Sequence, residues 1–346
     1  LLKGKFNTLE SESAVVLRSL AKGGGVPPYS VDPELLLWDK EIYYSSEQRK
    51  TLKARLTNVM AGKQEYARKL RDHLRRAVLA SRLEREVGGA EDGDRLDDAA
   101  LASIAIGTNG QDVYTQTLRT ISESTFVTVL VDCSGSMGSI LSPSSRSAKA
   151  AVCASELHEG MRGARIPHAI LGYHCVYRSG KGEGVDWARY DQELRHHVFV
   201  EAPGFASDAG DALGAITGKE RNCDCESVLW AARYTAQWGA KADRLILIVI
   251  SDGLPTGSRH GATYLERAVE QVVGAGIEVY GIGIEFYAET IWEEFQKFYP
   301  NRNEEPGRAA SGCLRVPSEG LGDMVVRELT KLLTRGYGMS RRAVRS

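Results

Sequence analysis

Two runs of the chain are apolar at nearly every position, 126–131 (FVTVLV) and 245–250 (LILIVI). The first ends directly on Asp132 and the second reaches Asp252 through Ser251. Strands apolar on both faces belong inside a parallel sheet that is covered by helices above and below. The rest of the second half alternates as such a fold requires. Helical spacing predicts helices over 148–161, 226–238 and 264–273, the first entered from a Ser-rich loop at 142–147 and the third ending at Gly274. Strands are expected over 169–176 and 277–284, with an added extended segment at 196–201. A segment at 291–298, a short strand near 314–316 and a closing helix at 321–333 complete the unit. The expected fold is α/β, a doubly wound, mostly parallel sheet with helices on both faces and right-handed crossovers.

Upstream the period changes. From Glu47 to about Val87 apolar residues (Leu52, Leu56, Val59, Met60, Tyr66, Leu70, Leu74, Ala77, Val78) recur every three or four positions, which reads as a long helix. Ser45 or Ser46 can cap its start and Gly88-Gly89 its end. The other face carries Arg68, Lys69, Arg71, Arg75, Arg76, Arg82 and Arg85. A solvated helix surface is the ordinary reading of such a face, and an acidic partner or RNA is the alternative. No aromatic stacking platform accompanies the charges, so nucleic acid is not expected. A short helix at 99–106 and a segment at 113–119 lead into the first apolar run. The domain boundaries that follow are a mainly helical N-terminal extension over 1–120, the α/β domain over 121–338, and a tail over 339–346.

Composition narrows the picture a little. The 346 residues carry a net charge of −1, which removes any global electrostatic case for nucleic acid. No apolar run reaches the length of a membrane span, so no membrane contact is expected. The chain begins at Leu1 rather than Met, which leaves an upstream targeting segment open. Six scattered cysteines form no disulfide framework, so reduced thiols and a cytoplasmic location are expected. Cys223 and Cys225 have no nearby His or further Cys to make a soft-metal site. His196 and His197, side by side in an extended segment, point to opposite faces and read as surface or partner contacts.

The candidate chemistry lies at the strand ends. Asp132, Ser134 and Ser136 alternate through DCSGS, so a carboxylate and two hydroxyls can converge at the carboxyl end of a strand, where open α/β sheets keep their ligand sites. Hard oxygen ligands with room for water suit Mg²⁺ or Mn²⁺. Ser and Gly after a strand are also ordinary turn chemistry.

The Asp-x-Ser-x-Ser spacing after an apolar strand resembles the metal-ion-dependent adhesion site (MIDAS) of von Willebrand factor A (VWA) domains. In that family the remaining ligands are a Thr from a mid-domain loop and an Asp after a later strand. Asp252, in ISDGLP, matches the latter. No Thr stands in the expected place. NCDCESVLWA is similar instead to a segment of the CobT family, subunits of aerobic cobaltochelatase, with Cys225 where Gly is usual. The resemblance implies Asp224 as the middle ligand and Glu226 second, although both also suit the first turn of a helix, where carboxylates complement the dipole. The basic helix and the Gly-Asp-Arg-Leu lead-in are similar to the CobT carboxyl-terminal half as well, and the likeness covers roughly residues 65–335.

The resemblance implies an adaptor. CobT subunits work with a AAA+ ATPase (CobS) to insert Co²⁺ into a corrin ring through a large catalytic subunit, in cobalamin biosynthesis. A divalent ion with an open coordination position, Mg²⁺ or Mn²⁺, would accept a partner's carboxylate without performing chemistry. The chain carries no phosphate-binding Gly-x-x-x-x-Gly-Lys-Ser/Thr loop and so would dock a motor rather than be one. A homo-oligomeric ring stays open. Two other readings stand beside this one. One is a VWA partner of a MoxR-type remodelling ATPase. The other is a metal-dependent phosphoesterase, against which Ser134 stands where a second Asp is usual and no Gly-x-Ser-x-Gly elbow occurs.

Overall fold

The structure is a computed structural model. It describes residues 39–61, 68–69, 72, 85–90, 95–96, 114–118, 124–142, 144–177, 192–255, 261–286, 288–303 and 309–316. Seven strands form one sheet: β1 (Lys40–Ile42), β5 (Thr125–Asp132), β6 (His168–Tyr177), β7 (Gln192–Val200), β8 (Arg244–Ser251), β9 (Ile277–Ile284) and β10 (Ser311–Val316). Their spatial order is β1-β7-β6-β5-β8-β9-β10, and every neighbouring pair is parallel except β6 with β7. A separate three-stranded antiparallel sheet is built from β2 (Arg85–Ala90), β3 (Arg95–Leu96) and β4 (Tyr114–Leu118), in the order β2-β4-β3.

The apolar strands divide their side chains between two cores. Val127, Val129 and Val131 of β5, with Ile246, Ile248 and Ile250 of β8, join one cluster under α2 (Arg146–Ala164). Phe126, Leu130, Leu247 and Val249 join the other, under α3 (Asp224–Trp238), α4 (Gly261–Gly274) and α5 (Glu289–Phe298). Period-two alternation therefore survives inside a continuously apolar run because both faces are dry. The single polar residue in the run, Thr128, is fully buried and accepts a hydrogen bond from Thr235 Oγ1 on α3 at 2.8 Å.

The first described segment is part of this unit. Ser45 caps α1 (Ser46–Met60) in a capping box with Gln48. Val59 and Met60 enter the core under α2, and α1 lies on the 3₁₀ turn Ala209–Ala215. There the Leu52 carbonyl comes so close to Gly214 that a β-carbon would sit 2.0 Å from it. Tyr44 Oη bonds His197 Nδ1 at 2.7 Å, and His197 Nε2 bonds His174 Nδ1 at 2.9 Å.

Several expectations change. The helix expected to run to about Val87 is seen as far as Met60, with 68–69 and 72 also helical, whereas Arg85–Ala90 is strand paired to β4. Gly88-Gly89 therefore lies inside a strand instead of ending a helix. Most of the basic face, the helices expected at 99–106 and 321–333, and residues 1–38 lie outside the described residues. His196 and His197 do point to opposite faces, but both are buried. His196 stacks on Trp230 at 4.0 Å, and His197 stacks on Phe199. Trp230 on α3 covers one ring and Tyr44, just before α1, meets the other, which no alternation rule could foresee. All six cysteines are free thiols.

The buried histidines give the fold an acid sensitivity. Burial first, and then the nearby Lys219 charge, hold His197 at about 2 and His174 at about 3, against an ordinary 6.5. Depressed values mean that the unfolded chain takes up protons the folded chain refuses. Their stabilising contribution is complete above about pH 6.5 and is lost as the pH falls below it. His197→Phe is expected to give a shallower decline of melting temperature between pH 6.5 and 4 than the parent chain. Parallel declines would contradict this assignment.

Candidate metal site

The strand order reverses between β5 and β8, so the chain leaves these two neighbours in opposite directions and a crevice opens at their carboxyl ends. Asp132 ends β5 and Asp252 directly follows β8. The loop after β5 turns at once into the 3₁₀ turn Gly135–Met137. It is held by the 217–221 segment: Lys219 N–H donates to Cys133 O at 2.8 Å and Gly135 N–H to Glu220 O at 3.0 Å. A β-carbon on Gly135 would lie 2.8 Å from Glu220 O, so the glycine between the two serines is what allows this approach.

Asp132 is completely buried and acts as the organiser. Oδ1 accepts from Ser134 N–H at 2.7 Å and Oδ2 accepts from the Ser251 hydroxyl at 3.0 Å, so both oxygens are engaged. Above it, Ser134 Oγ and Ser136 Oγ are 3.1 Å apart, and Ser136 Oγ donates to Asp252 Oδ1 at 2.9 Å. Arg146, at the start of α2, donates to Asp252 Oδ2 at 3.0 Å. The serines and Asp252 line a cleft of about 390 Å³ with Gly135, Glu220, Arg221, Asn222, Gly253 and Leu254.

Asp224 and Glu226 stand in the first turn of α3, both buried, and neither lines the cleft. Asp224 Oδ1 accepts from Tyr173 Oη at 2.5 Å, while Oδ2 has no hydrogen-bond partner although the residue is only 1% exposed. The charges of Asp132 and Asp252 are felt at Asp224. Thus four of the expected residues, Asp132, Ser134, Ser136 and Asp252, form one hydrogen-bonded group. Asp224 lies within its field.

The electrostatics are those of too much buried negative charge. Burial, then the Asp252 charge, raises Asp132 to about 7 from 3.8. Burial likewise raises Asp252, and burial with the Asp132 charge raises Asp224 well above its ordinary value. A bound cation would relieve all three. The oxygens also have the spacing for one: adjacent ligands of an octahedral Mg²⁺ with ~2.1 Å bonds are about 3 Å apart, as the Ser134–Ser136 and Ser136–Asp252 oxygens are. Among the described residues no three His, Cys, Asp or Glu side chains group as a metal cluster, so hydroxyls must complete any such site. The orphaned Asp224 oxygen and the paired serines fit a hard divalent cation.

Three contributors were not singled out from the sequence. Ser251 props Asp132, Tyr173 holds Asp224, and Arg146 pairs with Asp252. A hydroxyl just before Asp252 was the visible trace of the first. The other two become neighbours only through the sheet order.

Residues 113–335 match the family model of the cobalamin biosynthesis protein CobT VWA domain. The chain belongs to that family. In this CobT VWA domain β1 and α1 precede the matched region and still pack against it. No curated protein matches the chain. Solved structures similar to it include the pilus adhesin SpaC of Lactobacillus rhamnosus GG, at 13% identity and TM-score 0.40, covering 62% of this chain and 30% of that one. The vWF domain of the type V pili tip protein Mfa5 of Porphyromonas gingivalis is 10% identical at TM-score 0.45, covering 63% and 97%. The SpRpn10 VWA domain is 10% identical at TM-score 0.36, covering 60% and 94%. Among the described residues, no helix is long and apolar enough to cross a membrane.

Because burial and neighbouring charge disfavour an ionised Asp224 in the metal-free protein, Asp224→Asn is expected to melt in EDTA within a few degrees of the parent or above it. A drop of more than about 2 kcal/mol, the scale of an ordinary buried polar loss, would show that the carboxylate is compensated.

Proposed function

We propose that this CobT VWA domain is the MIDAS-bearing adaptor of a cobaltochelatase-like complex. It binds one Mg²⁺ or Mn²⁺ and uses the ion's outer coordination position to grip a carboxylate of a AAA+ ATPase partner. Insertion of a metal into a tetrapyrrole is the downstream process, with the large chelatase subunit performing it. The observation that supports this reading best is the meeting of Ser134, Ser136 and Asp252 at the wall of an open cleft, above a fully buried Asp132. Membership of the CobT VWA family favours this pathway, and the Asp224 oxygen without a hydrogen-bond partner supports a cation over a simple turn.

Within this reading the roles divide by depth. Ser134 and Ser136 would be direct ligands, and Asp252 would ligate the ion or hold one of its waters. Asp132 would keep the loop in place and Asp224 would contribute charge from below. The ion's part is to present a positive, exchangeable position to a partner carboxylate. Nothing in this requires a covalent step.

Ser136→Ala removes one hydroxyl ligand without unseating Asp132, and is therefore the clean variant. It is expected to weaken Mg²⁺ binding at least tenfold by calorimetry and to lose the EDTA-sensitive co-purification of the ATPase. Unchanged Mg²⁺ affinity, or partner capture that persists in EDTA, would contradict the proposal.

A further inference from the structure

Arg146 reaches the candidate site from the side, and its guanidinium is fixed by three loops at once. Nη1 donates to Asp252 Oδ2 and to the Ser136 carbonyl, both at 3.0 Å, and Nε donates to the Glu285 carbonyl at 3.1 Å. The Glu285 carboxylate pairs with Lys149. Among the described residues no other Lys or Arg forms an ion pair with Asp132 or Asp252. Asp252 is thus engaged at both oxygens, one held by the Ser136 hydroxyl and the other by a guanidinium.

We propose that Arg146 is a resident counter-cation that competes with the divalent ion for Asp252 and thereby holds the site's affinity down. The inference rests on the cation-site reading above and specifies how that site is regulated. An ion arriving beside Ser136 must draw on a carboxylate whose charge is already shared. It also faces a positive guanidinium bonded to that same carboxylate, only a few ångströms away. Two carbonyls tether Arg146 in place, so it stays when the ion comes. A partner's carboxylate then restores the balance of charge. Ion and partner are held more tightly together than either alone, and the ion exchanges readily when the partner leaves.

The test is calorimetric titration of the full chain with MgCl₂ and MnCl₂ in the parent, R146Q and R146K. R146Q keeps an amide donor and loses the charge, whereas R146K keeps the charge and loses the fork. If Arg146 competes, R146Q binds Mg²⁺ about tenfold tighter or more, while R146K stays near the parent. A site that binds only in R146Q supports the proposal equally. R146Q binding no tighter than the parent overturns it and leaves the cation site standing. Absence of binding in every variant overturns both. Should R146Q fail to fold, the parent chain reports the same competition through the NMR signal of the Arg146 Nη1–H, the donor to Asp252 Oδ2. That signal shifts as Mg²⁺ saturates the site if the proposal holds, and a signal unmoved at saturation overturns it.

Discussion

The structure turns on the cost of burying carboxylates where two parallel strands end. Asp132 is out of contact with water, Asp224 nearly so, and Asp252 shares their field. Three acids in one low-dielectric corner are unfavourable unless hydrogen bonds, protons or cations offset them. The fold supplies some of each. Ser134 N–H and Ser251 Oγ fill Asp132, Tyr173 takes one oxygen of Asp224, and Arg146 takes one of Asp252. What is left is an orphaned oxygen on buried Asp224 and, at the cleft wall, a pair of serine hydroxyls.

The sheet order makes this arrangement possible. Because β5 lies between β6 and β8, loops leaving in opposite directions part over the Asp132 end and leave a crevice that neither fills. The dry cores on the two faces fix the strand ends against each other, so the loops that leave them start from fixed points and their oxygens meet near 3 Å. On the far side, β1 extends the sheet past β7, and Tyr44, between β1 and α1, bonds the buried His197–His174 pair. This segment lies before the matched family region, yet it packs as part of the same body.

Much of this was legible in the residues. Continuous apolar runs ending in Asp132 and Asp252 locate two central strands and their shared end, because only a doubly covered sheet makes such runs favourable. DCSGS reads as a loop because small Ser and Gly residues follow the apolar run at once, and Gly135 permits the close contact with Glu220. The less legible parts depend on distance in the chain. Asp252 Oδ2 and Arg146 are separated by 106 positions, and nothing local marks Arg146 as anything but the first residue of a helix. The pairing of β2 with β4 was hidden because Arg85–Ala90 continues a basic, helix-like spacing, and the partner strand that overrides it comes later in the chain. His196 and His197 looked exposed because the residues that meet them, Trp230 and Tyr44, lie far away in the chain and carry no sign of where they dock.

The central claim is that the end of β5 and β8 holds one hard cation between hydroxyls and carboxylate. An anomalous-scattering map from crystals soaked in Mn²⁺ tests it most directly. The account predicts a single peak within coordination distance of Ser134 Oγ and Ser136 Oγ, on the Asp252 side of the cleft. A map with no peak there, or with Mn²⁺ bound only at other acidic surfaces, would contradict it.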